Sequence, residues 1–459
     1  MKNNLIILGI LTGTGLLVKF LGFTDQQTIA TLVFLSILLG TLFYWKFRLF
    51  FAFTGLSVLL AAKLVDLPHV IEFAGLDIIL FLIGMMTLIG FFEENHFFEY
   101  LVAKAVDAIG ERPFLLVGIL MVLSSFFAAL VDEVTSILFM MATMFHICKR
   151  YQINPAPFLL MIVFATNIGS SATAVGNPIG VMIALRAGFT IADFLRWAAP
   201  ISAVCLTVCI ALCFLLFRTA IVELGQKMKQ DPETYHEISH VYHRNKGILI
   251  CWALFVGVIA CLVTHHSIEE LFHLAKNTLL IGTALFFGGL AIMLKGDDAR
   301  DFFTRRVDFW TLTFFLILFA SVGTLKYVGV TEQVAKGMIH LAQGGEGVLL
   351  GIFTTAISLL TAFMDNVLAV ATFIPILSDI QKAGVYVFPF WWAMLFAGTM
   401  YGNATVIGST ANIVAMGMME KEYKKVISFG EWLVPGVIVS TATILTAMGL
   451  LMVQRSLMP

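Results

Sequence analysis

The chain has 459 residues, of which 59% are hydrophobic and only 12% are charged. A soluble protein of this length would form about three domains and carry about 25% charged residues, because its surface must be hydrated. The composition therefore predicts a polytopic membrane protein whose outer surface has lipid as its partner. The 28 basic and 29 acidic residues give a net charge of −1, so nothing suggests a nucleic-acid partner.

Apolar runs long enough to cross a bilayer follow one another along the chain. Eleven α-helical spans are predicted, at about residues 4–22, 28–44, 49–65, 74–92, 157–187, 197–217, 247–263, 277–294, 309–325, 388–418 and 432–453. Two more apolar runs, 113–148 and 346–379, carry acidic residues near their middle, which favours re-entrant hairpins. Glycines and a proline in the runs 157–187 and 388–418 predict broken helices there.

These elements group into four regions of sequence. They are N-terminal scaffold spans (1–70), a first hairpin-and-broken-helix unit (71–217), a cytoplasmic segment with two linking spans (218–308), and a second such unit (309–459). The two units read as an internal repeat. Lys104 and Lys336 precede the hairpins, and the acids Asp132 and Asp365 follow them after 28 and 29 residues. A Phe-x-x-Trp-x-x-Pro motif closes each unit.

Basic residues, which concentrate on the cytoplasmic side of membrane proteins, set the predicted orientation. The residues expected in the cytoplasm are Lys46, Arg48, Lys149, Arg150 and the basic residues of 218–246, 295–306 and 421–425. The protein is then a multi-pass protein of the cell inner (plasma) membrane, with its N-terminus in the cytoplasm and its C-terminus outside. His265 and His266 fall in a predicted external loop and are expected to be solvated. The two units have opposite orientations, and an inverted-topology repeat is typical of secondary transporters.

Three carboxylates interrupt the apolar hairpins, and we interpret them as proton- and ion-coupling groups. They are Asp132, Glu133 and Asp365. A charged side chain at the bilayer centre costs about 2.5–3.5 kcal/mol on insertion scales, so its presence indicates a function. The alternative is that the hairpin turns lie at an interface and the acids face water. The role of Glu133 stays open, because Asn366 occupies its place in the second unit.

Hydroxyl and amide side chains are concentrated where the two broken helices are interrupted. Polar groups at this depth cannot face lipid, so they must line a cavity or bind an ion. Hard oxygen ligands suit a small cation such as Na⁺. The alternative is close packing of helices through small residues. The predicted ion- or substrate-binding residues are Asn167, Ser170, Ser171, Thr173, Asn177, Asn366, Asn403, Thr405, Ser409, Thr410 and Asn412.

The motifs that carry these residues resemble those of the ion transporter superfamily. They are DEVTS from Asp132, NIGSSATAVGNP from Asn167, DNV from Asp365 and GNATVIGSTAN from Gly402. The nearest branch is the group of arsenite permeases, sodium–proton antiporters and the melanosomal P protein, with a citrate-transporter-like domain; the resemblance covers about residues 70–455. It implies a scaffold, a transport region of hairpins and broken helices, an elevator-type motion and a homodimer. The chain departs from the family pattern at Glu133 and Asn177, where that pattern tends to have Asn and Asp.

The predicted function is secondary active transport in which intramembrane carboxylates exchange protons for Na⁺. A carboxylate that binds either ion, but not both, produces antiport by competition. Two alternatives stay open: a proton-coupled permease for arsenite efflux, and a sodium-coupled carrier of dicarboxylates or other anions. Acids at the site disfavour an anion and leave a neutral substrate unaffected. Nucleotide-binding and hydrolase motifs are absent, so no enzymatic activity is expected, nor any cofactor besides the ions H⁺ and Na⁺.

Overall fold

The computed structural model describes residues 2–107, 112–230 and 246–459. Over these residues the chain folds into α-helices with short 3-10 and π segments, and no β-strand occurs there. The predicted all-α class is confirmed for this part of the chain. A helix bonds its own backbone groups internally, which is the requirement that a hydrocarbon environment imposes.

Eight helices of the described residues are long and apolar enough to cross a membrane. They are Asp25–Phe43, Leu76–Glu94, Pro113–Leu130, Ile191–Leu216, Gly247–Leu271, Phe309–Tyr327, Glu346–Phe363 and Phe429–Leu457. Four shorter apolar helices are Asn4–Phe20, Ala156–Gly169, Pro178–Ala187 and Thr278–Leu294. These helices support a polytopic membrane protein. The number of spans stays a prediction, because length and composition do not decide whether the shorter helices cross.

Six other helices of the described residues lie at the ends of these or connect them. They are Arg48–Ala61, Leu67–Phe73, Phe97–Asp107, Arg218–Gln230, Ala299–Arg306 and Val330–Leu341. Large apolar side chains on the outer helices are exposed, among them those of Leu16, Phe20 and Leu215. An apolar surface of this kind suits contact with lipid. The interior is filled by aromatic and aliphatic side chains, with Trp392 and Trp432 the largest that are fully buried.

Two hairpins and two broken helices lie where the sequence predicted interruptions. The first hairpin pairs Pro113–Leu130 with Glu133–Arg150, and the second pairs Glu346–Phe363 with Asn366–Lys382. The first broken helix consists of Ala156–Gly169 and Pro178–Ala187. The second consists of Phe388–Met400 and Thr410–Tyr423, with 3-10 turns between them. The four elements pack on one another, so their interruptions come together.

Small residues let the helices approach closely outside this region. The helix Leu76–Glu94 packs along Thr278–Leu294, and a Cβ on Gly84 would lie 2.5 Å from the carbonyl oxygen of Ala284. On the facing helix, a Cβ on Gly288 would lie 2.8 Å from the carbonyl oxygen of Gly84. Membrane helices associate largely through such close packing, because the hydrophobic effect does not drive helix association within lipid.

The expectation that His265 lies solvated in an external loop is wrong. The helix Lys246–Leu271 continues past it, His265 is buried with 1% of its surface exposed, and its Nδ1 lies 2.7 Å from the carbonyl oxygen of Leu262. The physical reason is the carboxylate of Glu269, which accepts hydrogen bonds from the backbone N–H groups of Asn277 (3.0 Å) and Leu279 (2.8 Å). These bonds fold the following segment back over the helix end. His266, in contrast, keeps part of its surface exposed.

The segment 218–246 was predicted to be polar and cytoplasmic. Its first part forms the helix Arg218–Gln230, which packs Ile221, Leu224 and Met228 inward against the first hairpin. The rest of the segment, residues 231–245, lies outside the described residues. The helix thus joins this segment to the hairpin.

Candidate functional site

An aspartate at each hairpin tip caps the helix that follows it. Oδ1 of Asp132 accepts hydrogen bonds from the backbone N–H groups of Val134 (2.7 Å) and Thr135 (3.0 Å). Oδ1 of Asp365 accepts one from the N–H of Val367 (3.0 Å). Such a carboxylate satisfies donors that the first helical turn leaves free, and the helix dipole favours its negative charge. The two acids therefore share one structural role.

The two aspartates differ in their remaining contacts. Oδ2 of Asp365 accepts a hydrogen bond from the hydroxyl of Thr410 at 2.5 Å, and Asp365 is 3% exposed. Asp132 is only half-buried. The second tip is therefore enclosed by its own broken helix, whereas the first tip keeps part of its surface accessible.

Glu133 is the carboxylate at which the four interrupted elements meet. Its side chain begins the second arm of the first hairpin, and the residue is 2% exposed. Oε2 accepts a hydrogen bond from the hydroxyl of Ser170 (3.1 Å) in the first broken helix. Oε1 accepts from the amide of Asn366 (3.3 Å) in the second hairpin and from the hydroxyl of Ser409 (3.3 Å) in the second broken helix. The sequence left its role open, and the structure makes it central.

Asn167 links the two broken helices at the same depth. Its side chain is fully buried, and its Nδ2 donates to Oδ1 of Asn403 (2.7 Å) and to Oδ1 of Asn412 (2.8 Å). Its Oδ1 lies 3.2 Å from the hydroxyl of Ser409, whose single proton is shared between this oxygen and Oε1 of Glu133. One amide thus uses both its donor and its acceptor groups across the interface between the two units. A residue that served only tight packing would not need these hydrogen-bond donors and this acceptor.

Two further asparagines fix the interrupted backbone itself. Nδ2 of Asn177 donates to the hydroxyl of Ser170 (2.8 Å), while its Oδ1 accepts from the N–H of Gly180 (2.9 Å) and caps the next helix. Nδ2 of Asn412 donates to the carbonyl oxygens of Gly402 and Thr405, each at 2.8 Å. The freed backbone groups are therefore satisfied by side chains of the site, as a buried break requires.

Threonine hydroxyls join each break to the hairpin of its own unit. The hydroxyl of Thr173 donates to the carbonyl oxygen of Ala129, and that of Thr405 donates to the carbonyl oxygen of Ala362. These pairs occupy corresponding positions in the two units. Both hydroxyls are committed to the backbone, so they serve the shape of the site more directly than ion binding.

Two glycines make the same close approach in both units. A Cβ on Gly176 would lie 2.4 Å from the carbonyl oxygen of Ser170, and a Cβ on Gly408 would lie 2.5 Å from that of Gly402. Only glycine fits such a distance without movement of the backbone. Contacts of this kind are what a repeat would produce, and the inverted relation of the two units stays a prediction.

Most of the predicted site residues come together in one hydrogen-bonded group, which we name the polar cluster. Its members are Glu133, Asn167, Ser170, Asn177, Asn366, Asn403, Ser409 and Asn412. Asp365 and Thr410, each next in the chain to a member of the cluster, form a hydrogen bond with each other at its edge. Other predicted residues point elsewhere: Asp132, Thr173 and Thr405 bond to backbone, and Ser171 lies 2.7 Å from the hydroxyl of Ser202.

The donor atoms of the polar cluster are all of one chemical kind. They are carboxylate, hydroxyl and amide oxygens, which suit a hard cation such as Na⁺ better than a transition metal. Within the described ranges, no group of three or more His, Cys, Asp or Glu side chains could hold a metal ion.

Arg48, Glu93 and Arg306 are charged side chains that were not singled out from the sequence as site residues. Arg48 served only as a marker of orientation, yet it is 7% exposed and its Nη2 donates to the hydroxyl of Thr311 (2.6 Å). Glu93 pairs with Arg306 (Oε2 to Nη1, 2.7 Å). The signal that could have identified Arg48 is its place between aromatic residues, in the segment FYWKFRLFF.

Comparisons with known proteins agree with this architecture. The model of the citrate transporter family, CitMHS, matches residues 38–397. A protein of Mycobacterium tuberculosis H37Rv described as uncharacterized transporter Rv2685 is 30% identical over 376 residues, 80% of this chain and 84% of that protein. The 46 kDa membrane protein of Mycobacterium leprae is 30% identical over 405 residues, 86% of this chain and 91% of the relative. The human P protein is 25% identical over 483 residues, 86% of this chain and 56% of that protein.

Proposed function

The chain belongs to the citrate transporter family of membrane transporters, and from that premise we propose that it exchanges protons for Na⁺ by secondary active transport across the plasma membrane. One observation carries the proposal. The carboxylate of Glu133 is buried and is bonded to both broken helices and to the second hairpin. A carboxylate held in this way, with oxygen atoms around it, can bind either a proton or a small cation.

Competition at Glu133 accounts for exchange. When the carboxylate is ionised, its two oxygens and the hydroxyl oxygens of Ser170 and Ser409 can turn toward Na⁺, since a hydroxyl both donates and accepts. When Glu133 is protonated, one of its oxygens becomes a donor, and Na⁺ loses its charged ligand. The two cations therefore exclude each other. Asp365, which is next in the chain to Asn366, a hydrogen-bond partner of Glu133, would share in this titration.

The motion that we propose follows from the helices that the polar cluster connects. Its hydrogen bonds connect both hairpins and both broken helices, so these four elements would move as one transport region relative to the scaffold helices. We include in the proposal an elevator-type motion, a homodimer, a cytoplasmic N-terminus and an external C-terminus. The first two are supported by the resemblance to the ion transporter superfamily, and the orientation is supported by the distribution of basic residues.

A carrier of citrate or another anion is the second candidate, because the matching family is described as a citrate transporter. Glu133 and Asp365 oppose it, since two buried carboxylates repel an anion unless they are protonated. Arsenite, which is neutral as arsenous acid, would not meet this repulsion. The names of the relatives reported above do not favour it.

Flux in proteoliposomes tests the proposal. The purified protein is reconstituted with a pH-sensitive dye inside the vesicles, and Na⁺ is added outside. We expect the lumen to become alkaline as protons leave in exchange. Glu133→Gln and Asp365→Asn should each abolish this change, because they keep the side-chain shape and remove the titrating group. Asp132→Asn should be milder, since an amide oxygen can still cap the helix that Asp132 caps.

The matched control is Glu332→Gln, which neutralises an exposed glutamate paired with Lys336 on a surface helix and should leave exchange intact. Li⁺, K⁺, arsenite and citrate are tested in parallel. Full pH-dependent exchange in both Glu133→Gln and Asp365→Asn would make the acids structural. Citrate uptake without Na⁺-driven proton movement would put the anion carrier first.

A further inference from the structure

One end of the first broken helix is bonded to a helix outside the four interrupted elements. Arg186 lies in the last turn of Pro178–Ala187, and Asp77 lies in the first turn of Leu76–Glu94. Nη1 and Nη2 of Arg186 donate to Oδ2 (2.8 Å) and to Oδ1 (3.1 Å) of Asp77. Two parallel bonds fix the orientation of the two groups as well as their distance. The side chains are 38% and 34% exposed, so water can solvate both charges when the pair opens.

A second bond reaches the same end of Pro178–Ala187 from a neighbouring helix. Nδ2 of Asn277, the residue before Thr278–Leu294, donates to the carbonyl oxygen of Ala184 (3.0 Å). Asn277 is 4% exposed, and its backbone is left-handed, with a φ of 62°. Both oxygens of the buried carboxylate of Glu269 accept backbone N–H groups of this segment, including that of Asn277. Glu269 is therefore a positioning residue, which holds the amide in place against the broken helix.

The two bonds connect two separately packed parts of the molecule. Asp77 and Asn277 lie at the beginnings of Leu76–Glu94 and Thr278–Leu294, which pack on each other through the facing glycines described above. We name these two helices the anchor pair. Pro178–Ala187 packs against the second hairpin and the second broken helix, so it belongs to the transport region.

A pocket of about 660 Å³ lies beside these bonds, between the transport region and the helices that face it. Met182 and Ile374 line the pocket from the transport region, and Ile78 lines it from the anchor pair. Arg186 also borders it. Apolar surfaces that do not meet across such a space lose the dispersion attraction of close packing. The polar bonds at the end of Pro178–Ala187 therefore connect the two parts where their packing is open.

The corresponding helix of the second unit is held in a different way. Thr410–Tyr423 ends at Tyr423, whose hydroxyl donates to the carbonyl oxygen of Phe145 (3.0 Å) in the first hairpin. That bond joins two parts of the transport region, so it is kept when the region moves as a whole. The bonds of Ala184 and Arg186, in contrast, break when the transport region slides along the anchor pair.

We propose that the Arg186–Asp77 pair and the Asn277–Ala184 bond form a latch, which fastens the transport region to the anchor pair on the predicted external side and opens in every transport cycle. The inference rests on the proposed function, because it concerns the motion included there, and it adds the contacts that oppose this motion. A bond that exists in one conformation favours that conformation, so the latch stabilises the conformation in which it is closed.

Reversal of the two charges tests the pairing without any transport. Asp77→Arg and Arg186→Asp each bring like charges together, so we expect each to lower the melting temperature of the purified protein. The variant with both changes restores an opposite pair and should melt close to the original. Additive losses would overturn the latch, whether or not Na⁺–proton exchange is found. If a single variant fails to fold, rescue by the second change supports the pairing, and failure of the double variant contradicts it.

The amide bond has its own variant. Asn277→Gly keeps a residue that tolerates the left-handed backbone and removes the amide that reaches Ala184. We expect a lower melting temperature, and an unchanged one would contradict the part of Asn277 in the latch.

Covalent closure tests whether the latch must open. Asp77→Cys and Arg186→Cys are combined with Cys261→Ser, since the other native cysteines are buried, and the new pair is joined by short bis-methanethiosulfonates. We expect this crosslink to stop flux, and dithiothreitol, which cleaves it, to restore flux. The matched control is Lys19→Cys with Asp25→Cys, at an exposed ion pair between the first two helices, where the same crosslink should leave flux unchanged.

Full flux through the crosslinked latch would overturn the proposal, because the two parts would then never need to separate. Flux is measured with whichever ion of the panel above the unmodified protein moves. A protein that moves citrate instead of Na⁺ would therefore contradict the proposed function, while the crosslink and the charge reversal would still decide the latch.

Discussion

Replacing Asn167 with alanine removes the side chain that connects the two broken helices. In the intact protein its amide donates to Oδ1 of Asn403 and Oδ1 of Asn412, and its oxygen accepts from Ser409. After truncation, Ser409 retains its bond to Glu133. The two asparagine oxygens lose the partner that the described structure gives them. We therefore expect Asn167→Ala to weaken both the fold and transport.

The expected loss of stability follows from the number of buried acceptors that lose their hydrogen-bond donor. An unsatisfied buried acceptor costs about 1–3 kcal/mol, so two of them correspond to about 2–6 kcal/mol before any relaxation. Water that enters the space left by the amide would reduce this figure. For transport, loss of interactions worth about 1.4 kcal/mol is already a tenfold effect, so we expect a decrease of about tenfold or more.

The assay has two parts, made on the same preparation. Thermal melting of the purified protein reports stability, and flux at a temperature well below the melting point reports transport per folded molecule. Ser440→Ala is the matched control. Ser440 is also fully buried, but its hydroxyl has no hydrogen-bond partner among the residues that the structure describes, so its removal should leave melting and flux unchanged.

Equal melting temperatures and equal flux in Asn167→Ala and Ser440→Ala would refute this reasoning. The asparagine would then be a packing residue, and the amide bonds across the two units would contribute nothing measurable. A normal melting temperature with lost flux would have a different meaning. It would show that the amide acts in transport, while water replaces it in the fold.

Two further predictions concern packing and orientation. Gly169→Ala would place a Cβ 2.2 Å from the carbonyl oxygen of Ser125, so we expect a loss of roughly 1–3 kcal/mol or more and aggregation in size-exclusion chromatography. Gly337→Ala, whose Cβ would meet nothing within 4 Å, should remain monodisperse, and equal behaviour of the two would contradict the close approach. A cysteine at Gln226 should react with an impermeant maleimide only from the cytoplasm, and one at Glu270 only from outside. Labelling of both from one side would exclude the predicted orientation.

Local sequence was sufficient to place the helix interruptions. Asp132 and Asp365 interrupt apolar runs, and in the structure a helix ends two residues before each of them. The breaks in the runs 157–187 and 388–418 also lie at the predicted glycines and asparagines. These features depend on neighbours in the chain, such as a capping carboxylate and the backbone N–H groups that follow it, so they can be read from a short segment.

The exchange of roles between Asp132 and Glu133 could not be predicted in the same way. Matched position in the two units favoured Asp132, while Glu133 had no acidic counterpart. In the structure Glu133 accepts bonds from Asn366 and Ser409, which lie more than 200 residues further along the chain. Which of two adjacent carboxylates turns inward depends on how distant helices pack, and no local pattern records that.

The sequence by itself determined that this is an all-α membrane protein with polar interruptions, because hydrophobicity and helix-breaking residues act over a few turns of chain. It also identified every member of the polar cluster, since polar residues in apolar runs are conspicuous. Only the tertiary structure decided which of them meet, that Thr173 and Thr405 bond to backbone, and that Arg48 is buried and bonded to Thr311. These relations join segments far apart in sequence, and they exist only once the hairpins and scaffold helices have packed.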